Sequence, residues 1–121
     1  MNAYLIDPFA RTVTAVDYSG DFNDIYKLID CDTFDVARVG KGEDIFVDDN
    51  GLFAPPDNQQ FFVFESYPQP LAGKGLLLGT DGRGETIASS LTIEEVKSRL
   101  SWVNVLIPAE DGMIVMDEPC K

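Results

Sequence analysis

The stretch GLLLGTDGRGETIAS, residues 75–89, decides the fold. Side chains alternate along an extended chain, so Leu76, Leu77 and Leu78 put apolar groups on both faces of the strand they form. Such a strand belongs in the middle of a sheet, or at an edge covered by a partner chain, which leaves a homo-oligomer open. Gly75 to Thr80 is that strand, Asp81-Gly82-Arg83-Gly84 a turn, and Glu85 to Ser89 the returning strand.

Downstream, Thr92 and Glu95 match the T-x-x-E capping box and start a short helix that buries Ile93, Val96 and Leu100. Trp102 to Ile107 is a final apolar strand or an extension of that helix, and Pro108 ends it. Residues 109–121 form an acidic tail, partly ordered, with one apolar patch at Met113 to Met116.

Upstream, Ala3 to Ile6 reads as a strand broken by Asp7-Pro8, and Thr12 to Tyr18 as a β-branched partner strand, with Asp7 to Arg11 connecting them as a hairpin. Asp21 is the expected N-cap of a helix carrying Phe22, Ile25, Tyr26, Leu28 and Ile29 on its buried face and ending near Asp30 or Cys31. Thr33 to Val39 alternates, with Phe34, Val36 and Arg38 on one side and Asp35, Ala37 and Val39 on the other, which suits a strand. Asn50-Gly51 between Ile45-Phe46-Val47 and Leu52-Phe53-Ala54 signals a second hairpin. Phe61 to Glu65 is a buried strand. The expected architecture is a single small α+β domain over residues 1–108, mostly antiparallel strands and hairpins with two short helices.

The chain has 121 residues, 45% of them apolar, including eight Phe and four Tyr, enough for one core without metal or disulfide support. Cys31 and Cys120 fit no C-x-x-C spacing and read as unpaired thiols in a reducing compartment. The start lacks the basic residues of an export signal, and no apolar run reaches the roughly 20 residues that span a bilayer. A cytoplasmic location without membrane contact is the expectation.

Charge is the other strong signal. Asp and Glu number 21 against nine Lys and Arg, a formal net charge of -12. Residues 17–49 hold ten of these acids against Lys27, Arg38 and Lys41. Such a surface repels nucleic acid and anionic membrane and favours basic partners. Asp17, Asp21 and Asp24 fall on neighbouring turns around the start of the first helix, away from its apolar face, and Asp32 and Asp35 flank the next strand's start. Asp48 and Asp49 add the following turn. On a strand face, side chains two apart lie roughly 6 to 7 Å from each other, comparable with the phosphate repeat of a DNA strand.

The order of these signals resembles a family of small uncharacterised proteins carried mostly by bacteriophages, plasmids and other bacterial mobile elements. Ile6-Asp7-Pro8, the Ile25-Tyr26 and Leu28-Ile29 helix leading to Cys31-Asp32 and Phe34, Val47 to Gly51, and Gly73 to Asp81 carry the resemblance over residues 3–85. It implies a mobile-element setting and an accessory role, without a mechanism or a set of functional residues.

Catalytic tools are scarce. The chain lacks histidine, the commonest general base, and Cys31 sits between Asp30 and Asp32, which disfavour a thiolate. Asp48-Asp49 falls short of a calcium loop, because counting back from Gly51 leaves the first ligand missing. Gly73 to Gly84 is no phosphate loop either, since Lys74 comes near its start and a strand follows. No enzyme activity, metal or cofactor is expected. The expected role is binding through the acidic residues Asp17, Asp21, Asp24, Asp32, Asp35, Asp48 and Asp49 to a basic host protein, a nuclease or DNA-binding protein, by imitation of DNA. The alternative is a small anionic ligand, a nucleotide or metabolite, held by Gly73, Lys74, Gly75 and Arg83.

Overall fold

β7 (Gly75–Thr80) takes the central place that its three leucines demand. In the computed structural model it pairs antiparallel with β1 (Asn2–Asp7) on one side and β4 (Glu43–Asp48) on the other. β2 (Thr12–Asp17) and β3 (Phe34–Gly40) form the two edges, giving the order β2-β1-β7-β4-β3, and β8 (Thr86–Ile87) pairs with the far end of β7. A second sheet runs β10-β9-β5-β6, from β5 (Phe61–Phe64), β6 (Leu71–Ala72), β9 (Leu100–Ala109) and β10 (Gly112–Pro119). α1 (Phe22–Leu28) and α2 (Ile93–Ser98) complete a small single α+β domain of mostly antiparallel strands. The described residues are 1–40, 42–49, 60–65, 67, 69–109 and 112–119, with the backbone path alone for 103–109 and 112–119.

The middle of this sheet is buried on both faces, so β7 reads apolar without a gap, whereas the edge strands β2 and β3 alternate buried with exposed positions. On one face Tyr4, Ile6, Ala37, Val39, Ile45, Val47 and Leu77 pack against Phe62, Phe64, Leu71, Leu100 and Trp102 of the second sheet and Val96 of α2. On the other, Ala3, Phe46, Leu76 and Leu78 meet Ile25 and Ile29 from the α1 segment. Gly75 is required by this packing: a Cβ there would lie 2.8 Å from both Ile45 Cγ2 and Phe62 Cζ. A glycine that looked available for ligand contact from the sequence is instead the seat of an aromatic ring.

Local signals are met where chemistry is local. Asp7 Oδ1 accepts the Phe9 and Ala10 N–H groups in the β1–β2 turn, and Asp81 Oδ1 accepts those of Arg83 and Glu85 in the β7–β8 turn. Asp21 caps α1 by accepting the Asn23 N–H at 3.0 Å, and Thr92 with Glu95 closes a reciprocal capping box on α2.

Departures from the expectation have long-range causes. Ile45–Val47 is flanked by β3 on one edge and β7 on the other, and the expected hairpin turn and return strand, Asn50 to Ala54, lie outside the described residues. Phe22, expected on the buried helical face, is 56% exposed, because α1 is only seven residues long and its core contacts come from Ile25 and the following Ile29. The segment after α2 is a strand, one of the two expected alternatives, and it runs past Pro108 to Ala109, with β10 pairing along it from Gly112 to Pro119. Among the described residues no helix is long and apolar enough to cross a membrane.

Candidate functional site

The turn that ends α1 gathers the acids. After the Ile29 C-cap, Asp30 adopts φ 53°, and the Cys31 N–H donates back to the Tyr26 carbonyl at 3.0 Å. The chain then enters β3, and the Asp49 N–H donates to the Thr33 carbonyl at 3.1 Å, which ties the end of β4 to the start of β3. Asp30, Asp32 and Asp48 thus line one cleft of about 360 Å³ together with Tyr26 and Cys31. Burial, followed by the charges of Asp48, Asp32 and Asp30, pushes the Cys31 thiol up to about 11. At the other end of α1, burial and then Asp21 and Asp24 raise the Tyr18 phenol, while the Ser19 hydroxyl bonds to the Asp24 carboxylate.

Not every expected acid joins this group. Asp35 alternates with Phe34 and Val36 and so belongs to the opposite side of β3 from them, where its Oδ1 accepts the Val36 N–H at 2.8 Å. Asp17, at the end of β2, is paired at 2.8 Å with the terminal ammonium of Met1, which lowers its carboxyl. Asp49 is exposed at the end of β4. Asp30, absent from the expected set, is central but half-neutralised: Lys74 Nζ lies 2.6 Å from its Oδ2.

That contact also bears on the alternative site. Lys74 immediately precedes β7 and is engaged with Asp30, whereas Arg83 lies in the turn beyond the strand's other end. Six strand residues separate them, about 20 Å of extended chain. Gly73, Lys74, Gly75 and Arg83 therefore do not converge. Among the described residues no three Cys, Asp or Glu side chains are placed to hold a metal ion.

A second cluster escaped the sequence. Glu43 and Asp44 begin β4 on opposite faces, and both are buried. The Ser89 hydroxyl and the Ser90 N–H, the latter at 3.2 Å, donate to Glu43 Oε1, while Oε2 has no hydrogen-bond partner among the described residues. Burial raises this carboxyl against the opposing hydrogen bonds. Thr80 donates its hydroxyl to Asp44. Beside Glu43 is a cavity of about 460 Å³ lined also by Val39, Gly40, Phe64, Ser90, Leu91 and Arg99. Glu43 and Asp44 follow Lys41-Gly42 and precede Ile45, an order that is the same whether these acids are exposed or not, so no local signal marks them.

The structure therefore defines a small α+β domain with an acidic end to its helical face. The chain belongs to the family described as Domain of unknown function (DUF3846), whose model matches residues 1–101. It is similar to "Uncharacterized protein y4iR" of Sinorhizobium fredii, with 38% identity over 96 residues, covering 77% of this chain and 58% of that protein. The chain thus spans little more than half of that relative's length. No solved structure matches it. The matched residues include α1, the central sheet and all the acids of the cleft.

Proposed function

We propose that this protein acts by binding, without catalysis, and that the α1 face carrying Asp21, Asp24, Asp32 and Asp48 receives a basic protein. The observation that carries this is the meeting of Asp30 and Asp32, from the turn after α1, with Asp48 of β4 around one cleft, where burial first and then their charges push the Cys31 thiol up to about 11. Carboxylates gathered on one face favour a cationic partner, and their attraction reaches about a Debye length, some 10 Å at 0.1 M salt. The sharpest form is imitation of DNA, which places the protein as an inhibitor of a basic nuclease or DNA-binding protein in a bacterial cytoplasm. The resemblance of its motif order to proteins of phages and plasmids supports a mobile-element setting.

The test is competition. The protein is titrated into complexes of labelled duplex DNA with a panel of basic nucleases and nucleoid proteins. Displacement of DNA from at least one, weakening steeply with salt, is the expected result. A variant with Asp24→Lys, Asp32→Lys and Asp48→Lys, which spares the Asp21 cap, should lose it while keeping its circular dichroism. Displacement by neither protein, or equally by both, overturns the role.

The cavity beside Glu43 supports a second reading, a small anionic ligand. Its volume lies in the range of ligand sites, it has apolar walls in Val39, Phe64 and Leu91, and the exposed Arg99 lines it and forms no ion pair among the described residues. Nucleotides and small carboxylic acids should raise the melting temperature of the wild type and not of Arg99→Gln; no shift with any of them removes this reading.

A further inference from the structure

We propose that the partner on the acidic face is anchored by an apolar side chain seated on Phe22, Phe34 and Val36, so that the bound segment is basic with an apolar residue among its cations. This rests on the acidic-face role above. Phe22 opens α1 and is 56% exposed, and Val36 on the edge strand β3 is 40% exposed. They are two of the few large apolar side chains left open among the described residues, and they flank the same ring. Phe34 is 6.1 Å from Phe22 between ring centroids, 5.2 Å from Tyr26 and 5.4 Å from Phe46, the last edge-on. Phe46 is a core residue, so the patch is the outer end of a ring series rooted in the core. Such rings are rigid and lose little entropy when covered.

The rim has the complementary sign. Asp21 immediately precedes Phe22, Asp32 lies two residues before Phe34, and Asp48 is the cross-strand neighbour of Phe34. An apolar centre within a charged border is the anatomy of a protein interface, and hot spots concentrate on its aromatic residues. A surface that copied only the charge of DNA would have no use for exposed rings. Face docking is favoured over strand addition, because the Val36 N–H on β3 is already met by the Asp35 carboxylate.

Two short lysine-rich peptides of equal charge, one with a central leucine and one with serine there, test this by fluorescence anisotropy. The leucine peptide should bind the wild type about tenfold tighter, the scale of burying one leucine side chain. That advantage should persist between about 50 mM and about 500 mM salt, where the charge contribution is screened. Phe22→Ser, and separately the near-isosteric Val36→Thr, should reduce the advantage while leaving the serine peptide's affinity unchanged. Equal binding of both peptides, lost in the Asp24→Lys, Asp32→Lys, Asp48→Lys variant, overturns the anchor and leaves the acidic-face role standing. Binding by neither peptide, or binding indifferent to charge reversal, overturns both. A wild-type dimer in sedimentation that Phe22→Ser converts to monomer assigns the patch to a second copy of this chain and overturns the anchor.

Discussion

The carboxylates around α1 and the pair that begins β4 have the same chemistry and opposite surroundings. Asp24, Asp32 and Asp48 border solvent or an open cleft, whereas Glu43 is 6% exposed and Asp44 9%. The first group faces outward. The second is held by hydroxyls and backbone N–H groups, from Thr80 for Asp44 and from Ser89 and Ser90 for Glu43, and acts inward by fixing β4 against β7 and the segment after β8. A bulk charge of -12 therefore mixes two populations, and only their separation shows which acids face solvent.

The largest expected effect breaks the inward group. A Cβ on Gly79 would lie 2.5 Å from the Ala88 carbonyl oxygen and 3.1 Å from Glu43 Oε2. The first neighbour is backbone and cannot swing aside. Gly79→Ala should thus cost about 1–3 kcal/mol by overpacking, read from urea denaturation. An unchanged midpoint would mean that the segment after β8 does not rest on β7.

The next effect separates the two groups by pH. Burial raises the Glu43 carboxyl above its ordinary 4.5, so the folded state retains a proton that the unfolded chain has released. Its stabilising share is fully present below about 4.5 and is lost as pH rises through the folded value. Glu43→Gln mimics the protonated form. The melting temperature of the variant minus that of the wild type should therefore grow more positive from acid towards neutral pH. A difference constant with pH would place Glu43 with the solvent-exposed acids.

A smaller effect reads the outward group through Cys31. Burial is the leading cause of its raised pKa, with Asp48, Asp32 and Asp30 following, so removing charge recovers only part of the thiol's reactivity. Asp32→Asn with Asp48→Asn should speed iodoacetamide labelling of Cys31 severalfold, located by peptide mass spectrometry to distinguish Cys120. No acceleration would mean that these acids are too far apart, or too well screened, to act as one surface.

What the sequence discloses follows the range of each interaction. The central strand is legible because three leucines in a row satisfy both faces of a sheet at once, and Asp21, Thr92 and Asp81 are legible because their hydrogen bonds close within a few residues. The apolar run Ile45-Phe46-Val47 does not reveal that β7, some thirty residues on, is the strand on one of its edges. Gly75 looks like a loop glycine until Phe62 is seen to need its missing side chain. Alternation alone separates Asp35 from Phe34 and Val36, yet counting acids along the chain groups it with Asp32. Asp30 enters the cleft only because a residue with φ 53° turns the chain back after α1.

The smallest effect on stability sharpens the comparison most, because one contact joins the acidic cleft to the glycine-flanked lysine. Lys74 Nζ and Asp30 Oδ2 are 2.6 Å apart, and this hydrogen bond raises the Lys74 ammonium against the cost of its partial burial. Asp30 is mostly exposed, so the pair should contribute only about 0–1 kcal/mol, and Lys74→Met should lower the urea midpoint barely or not at all. The same change removes a cation from an acidic cleft. If the outward acids recognise a basic partner, Lys74→Met should bind a lysine-rich peptide more tightly than the wild type at low salt and equally at high salt. Weaker or unchanged binding at low salt would mean that the cleft carboxylates do not receive the peptide's cations.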